Sequence, residues 1–235
     1  RMRRAMTGGR PDRVPVMCQL SLGHIHRNLE MDPIRFWYTS EGLAEAFITM
    51  AERYRFDGIL VNTCGRNPET LKRMKSVEQY SGGHRLVWEN GDETFIPPND
   101  DPRYLKHREP ERRPTDIRGI DENGIQVFET PEDLPAYYLD ILDHVIRRKG
   151  GELSIHGEIG TVFERLLVLF DSYSDGLMAL MDDPGKCKAL MDRMNRSCIS
   201  ETIAQCEKGI DVLKLSSPFA GAGFISREMY RQFVL

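Results

Sequence analysis

The stretch "ELSIHGEIG" at 152–160, followed at once by "TVFERLLVLF" at 161–170, decides the fold. It begins as a short apolar run of the kind buried in a parallel sheet, then sets His156 and Glu158 between glycines and turns into a helix. Two residues apart on a strand, His156 and Glu158 share one face. At the C-terminal end of a parallel strand that face opens on the rim where α/β enzymes gather their chemistry. The competing reading has His156 bonded to a neighbouring loop and Glu158 capping the next helix.

Working outward, three more runs have the same character: "RVPVMCQL" (13–20), "GILVNTCG" (58–65) and "DVLKLSS" (211–217). Each of the later three strands is preceded by an amphipathic segment. "SEGLAEAFITMAERYRFDG" (40–58) is expected to be N-capped by Ser40. "TPEDLPAYYLDILDHVIRRKGG" (130–151) has Thr130 as cap, Pro131 at the first helical position and a Gly-Gly stop. "DDPGKCKALMDRMNRSCISETIAQCEKGID" (182–211) leads into the last strand. Such alternation predicts a parallel α/β architecture. It breaks at about 66–130. There "SVEQYSGGHRLVWENGDETFIPP" (76–98) predicts a hairpin with turns at Gly82-Gly83 and Asn90-Gly91, followed by an exposed loop with an Arg cluster in 108–118.

Net charge is −4 with the basic residues dispersed, which argues against a nucleic-acid partner. No apolar run reaches the roughly 18 residues of a membrane span. The start "RMRRAMTGGRPDR" has no signal-peptide core, and five cysteines without disulfide spacing suggest reduced thiols and a cytoplasmic location.

Candidate site residues gather at the predicted strand ends. His24 and His26 follow the first strand as candidates for metal or substrate, against the ordinary reading of a solvated loop pair. Asn62 and Cys64 end the second, Cys64 being by default a buried structural thiol. Lys214 interrupts an apolar strand, aimed either at an anionic substrate or at Glu158, and Ser216 is a hydrogen-bond donor on the same rim.

The ordered set "GGRPDRVPV", "YRFDGILVN", "HGEIGTVFE", "MDDPGKCKALMDRM" and "KGIDVLKLSSPFAGAGFISREMYRQFVL" resembles the uroporphyrinogen decarboxylase superfamily. That resemblance implies a (β/α)8 TIM barrel, taken as a single domain over 1–235 and incomplete at its C-terminus by about 100 residues. Two activities come with it. One is methyl transfer with a corrinoid (cobalamin) methyl carrier on a partner protein and a zinc-held thiolate. Glu158 would be one zinc ligand and the others would lie past residue 235. The other is decarboxylation of a porphyrinogen in porphyrin biosynthesis, with no cofactor. A non-catalytic tetrapyrrole-binding barrel and a homodimer complete the expectations.

The residues depart from the decarboxylase pattern. An Arg-rich "RQAGR" segment is replaced by "CQLSLGHIHR" (18–27), where Arg27 is the only cation. The essential Asp after the second strand is replaced by Asn62-Thr63-Cys64. A Tyr in the helix after the third strand gives way to a segment carrying Glu164 and Arg165. A substrate with eight carboxylates needs several fixed cations, so these departures favour methyl transfer.

Overall fold

A computed structural model describes residues 1–108 and 113–235. Four positions of the Arg cluster region, 109–112, lie outside the described residues. The chain divides into two compact units. Unit 1 comprises Arg1–Pro110, Pro135–Gly157 and Gln205–Val212; unit 2 comprises Glu111–Leu134, Glu158–Ala204 and Leu213–Leu235.

Unit 1 opens with helices α1 (Met2–Met6), α2 (Leu22–Arg27), α3 (Pro33–Tyr38) and α4 (Ser40–Tyr54), then strand β1 (Gly58–Val61) and the single turn α5 (Glu69–Lys72). An antiparallel sheet of β2 (Met74–Tyr80), β3 (Gly83–Trp88), β4 (Glu93–Ile96) and β5 (Arg103–Lys106) follows in that spatial order. Helix α6 (Asp140–Lys149) precedes β6 (Ser154–Gly160). Phe36, Leu43, Ile48, Ile59, Val145 and Ile155 lie in one core, fully or almost fully excluded from water. Each buried aliphatic or aromatic side chain contributes about 1.5–3 kcal/mol relative to exposure.

Unit 2 contains α7 (Val162–Leu167), α8 (Tyr173–Asp182), most of α9 (Pro184–Glu207) and α10 (Arg227–Phe233), with a core of its own around Phe163, Leu166, Phe170 and Leu190. Strand β7 (Val212–Ser216) completes the parallel sheet in the order β1-β6-β7. β1 and β6 pair from Gly58 opposite Ser154 to Val61 opposite Gly157. The parallel α/β reading therefore holds for three of the four expected strands. Among the described residues no helix is long and apolar enough to cross a membrane.

The run 13–20 is the exception: it is extended but forms no strand. Pro15 has no N–H to give a ladder. The segment instead makes two bonds to one residue: Val16 N–H donates to the Asp57 carboxylate at 2.9 Å, and Asp57 N–H donates to the Val16 carbonyl at 2.7 Å.

Local expectations shifted for equally specific reasons. Thr39 rather than Ser40 caps α4, its hydroxyl accepting from Gly42 N–H at 3.0 Å, while the Ser40 hydroxyl accepts from Arg66 N–H at 2.7 Å. Thr130 and Asp133 form a capping box, but Pro135 stops that turn and the α-helix starts only at Asp140. The hairpin turn sits one residue early, at Ser81-Gly82, because both central positions need positive φ (47° and 78°). Gly83 is already in the strand, opposite Tyr80.

Candidate functional site

Ser154, His156 and Glu158 fall on one face of β6, and Ile155, Gly157 and Ile159 on the other. A Cβ on Gly157 would collide with the side-chain amide oxygen of Gln205 and press on Ile210. Gly157 therefore lets a helix pack close to the strand. It does not clear space at the rim. Gly160 does stand in open space, its nearest neighbour at 4.0 Å.

In unit 2 the strand ends bring Glu158 and Lys214 together. Lys214 Nζ lies 3.2 Å from Glu158 Oε2, with the carboxylate side chain only 12% exposed and the lysine 40%. Beside them runs a chain of short polar contacts. Thr161 Oγ1 donates to Ser217 Oγ at 2.9 Å, and Ser217 Oγ donates to Glu164 Oε1 at 3.3 Å. The same Glu164 oxygen accepts from Phe219 N–H at 2.9 Å. Ser216 takes part through its carbonyl, which accepts from Thr161 N–H at 3.0 Å. Arg165, from the segment that replaces the family's Tyr, is held by Glu201 in two parallel bonds of 2.8 and 2.5 Å. It also donates to the Gly160 carbonyl at 3.4 Å. Nearby Cys198 is buried, and burial pushes its thiol pKa up.

In unit 1 the candidates separate. His156 is buried and its Nε2 lies 2.9 Å from Ser154 Oγ. Burial holds its pKa below the usual histidine value, against an opposing pull from Asp211. His24 is exposed, with Nε2 3.0 Å from the Tyr54 hydroxyl. His26 is buried instead, stacked on Phe36 at 5.2 Å and edge-on to Trp37 at 5.6 Å. The two histidines diverge because their segment is helix α2, where residues two apart do not share a face. Asn62 turns its Oδ1 inward without a partner and lines a cavity of about 20 Å³; Cys64 is exposed.

Sequence reading missed Arg66, which follows the β1 end. Its guanidinium is half-buried, donates to Thr63 Oγ1 at 3.3 Å and forms no ion pair with a described residue. Burial lowers its pKa, partly offset by Cys64 and Tyr38. The signal available was its place, two residues after Cys64 at a strand exit.

The described residues do not fit a complete zinc centre. No three His, Cys, Asp or Glu side chains among them converge as metal ligands, and the proposed ligand Glu158 is engaged by Lys214.

The family model for uroporphyrinogen decarboxylase (URO-D) matches residues 108–235, just over half the chain. No curated protein sequence matches. Among solved structures the fold is similar to that of a methyltransferase from Methanosarcina mazei, with a TM-score of 0.62 and 16% identity. That match covers 98% of this chain and 62% of the methyltransferase, so the chain spans less than two thirds of that protein's length.

Proposed function

Because this chain belongs to the uroporphyrinogen decarboxylase family, we propose that it serves an enzyme of the methyl-transferring kind, with Glu158 as the working carboxylate. In this reading the three parallel strands are part of an eight-stranded barrel. The fold likeness across 98% of the chain supports that. The observation that carries the proposal is the Glu158–Lys214 pair, a nearly dry carboxylate matched to a half-exposed ammonium at adjoining strand ends.

Glu158 takes the proton of an incoming nucleophile, such as a substrate thiol, and Lys214, 3.2 Å away, holds the carboxylate in position until it does. The methyl group would come from or go to a corrinoid on a partner protein, which enters as substrate. Zinc, if used, would hold a thiol as thiolate, but its remaining ligands would have to come from outside this chain, and no step here passes through it. His156 is retained as a catalytic candidate, Asn62, Cys64, His24 and Ser216 as candidate substrate contacts, and a second copy as a candidate partner. His26 is the weakest candidate, since its ring is committed to the aromatic core.

Decarboxylation of a polycarboxylate is the second reading. The cations speak against it: Lys214 is paired with Glu158 and Arg165 is clamped by Glu201. Arg66, at the β1 exit, forms no ion pair with a described residue, and one guanidinium there does not match eight carboxylates.

The test uses the full-length protein with methylcobalamin and a small thiol as probes, beside a carbon dioxide release assay with uroporphyrinogen. Glu158→Gln is expected to lower methyl transfer by about 10²–10⁴-fold, the range for a lost acid–base group. It should change stability by no more than about 1 kcal/mol, since a partly exposed pair is worth little. Full activity in the variant, loss of its fold, or carbon dioxide release without methyl transfer would sink the proposal.

A further inference from the structure

An aromatic-lined cavity of unit 1 lies on the antiparallel sheet, and none of the candidate site residues lines it. Its volume is about 470 Å³, within the span of ordinary small-molecule sites. The floor is Trp88 and Tyr38, with ring centroids 5.5 Å apart. Trp88 is fixed there because its Nε1–H donates to Thr94 Oγ1 at 2.8 Å. Strand register then places Tyr104 directly opposite Thr94, and so on the same face. Tyr104 forms a wall, 60% exposed despite its size, with one ring face stacked on His107 at 4.3 Å. Three aromatic side chains thus border one opening.

The charges around it are uneven in availability. Asp92 accepts from Arg108 N–H at 2.8 Å and from the Asn90 side chain at 2.7 Å, bonds that hold its pKa low. It has little left to offer a ligand. Arg103, opposite Phe95 in the register, lies over that ring at 5.5 Å. Arg73 is different. It caps α5, its carbonyl accepts from Glu89 N–H at 2.9 Å, and its exposed side chain has no acidic partner among the described residues. A guanidinium beside an aromatic slot recognises a planar anion by charge and by stacking. Glu89 on the same rim disfavours ligands with several negative charges.

We propose that this cavity is a second binding site, separate from Glu158, for a flat aromatic monocarboxylate whose ring lies against Tyr104 and whose carboxylate meets Arg73. Burial raises the Tyr38 phenol to about 12, so it stays a hydrogen-bond donor at any physiological pH.

The experiment is calorimetric titration of the protein with 2-naphthoate and with its uncharged methyl ester. Saturable one-to-one binding of the acid is expected. Tyr104→Ala should weaken it roughly tenfold, the scale of one lost stacking contact. Arg73→Gln should weaken the acid roughly tenfold and the ester little. Both residues are exposed, and unchanged thermal melts confirm that the variants fold. No saturable binding, unchanged affinity in both variants, or equal loss for acid and ester would overturn the proposal. So would a dimer abolished by Tyr104→Ala, which would show the cavity to be covered by a second copy.

Discussion

Removing the guanidinium of Arg165 tests whether this residue is structural or available to substrate. Its two bonds to Glu201, at 2.8 and 2.5 Å, tie α7 to α9. The Glu201 side chain is 5% exposed and Arg165 26%. Arg165→Met therefore strands a carboxylate in a nearly dry place, a situation that costs about 3–5 kcal/mol. Glu201→Met strands a guanidinium that can still reach water, so a smaller loss of about 1–3 kcal/mol is expected. With both replaced by Met, no charge is left buried and most of the penalty disappears. For a chain of this length each kcal/mol moves the melting temperature by about 2–4 °C, so Arg165→Met should lower it by about 6 °C or more. Calorimetric melts of the two Met singles and the double, closed as a cycle, measure the coupling. If the single losses simply added in the double, within about 0.5 kcal/mol, the clamp would not exist and Arg165 would return as a candidate cation.

Two further predictions rest on burial. His26 and His156 both have pKa values lowered by desolvation. The unfolded chain then binds protons that the folded one refuses, so stability is full above about pH 6.5 and falls as pH drops below it. Urea melts from pH 7.5 to 5 should show this decline, with His156→Gln flattening part of it; a flat or rising profile would refute it. Among the five free thiols, Cys18, Cys64 and Cys206 are exposed, whereas burial pushes Cys187 up to about 11 and raises Cys198. An aromatic disulfide reagent at pH 8 should titrate three thiols quickly and the other two only after denaturation; five fast thiols would contradict the packing.

The parallel strands were legible because their signal is local. "GILV" and "SIHGEIG" are largely buried runs flanked by helical segments, and they became β1 and β6. The segment 13–20 has similar composition but Pro15 removes a ladder donor, and Val14 remains 81% exposed. Composition reports apolarity; pairing also needs an N–H at each alternate position. The His24–His26 pair misled for a related reason, since an H-x-H spacing shares a face in a strand and separates in a helix. Arg66 escaped notice because exposed and half-buried arginines look alike in sequence. The antiparallel sheet was half visible: the Asn90-Gly91 turn was read correctly, while β5, "RYLK", is exposed along its whole length and carries no buried pattern.

Lys214 could be read two ways from sequence, toward a substrate or toward Glu158, and the observed pair does not make these exclusive. Unit 2 offers an internal contrast. Arg165 and Glu201 meet in two short, buried bonds, and separating them strands a charge. Lys214 meets Glu158 through one carboxylate oxygen at a longer 3.2 Å, with its ammonium end 40% exposed. Water can reach the ammonium as it leaves, so an ion pair of that kind costs less to open than one buried at both ends. A substrate able to hydrogen-bond either group can therefore open the pair at little cost, whereas it could not open the clamp. A lysine that neutralises the carboxylate at rest and yields it to a ligand accounts for a cation placed inside an apolar strand. It also makes Lys214→Met a sharper probe than a stability measurement. Methyl transfer should fall, because the carboxylate loses the ammonium that holds it 3.2 Å away at the strand end. Full methyl-transfer activity in Lys214→Met would show that the lysine serves only the fold.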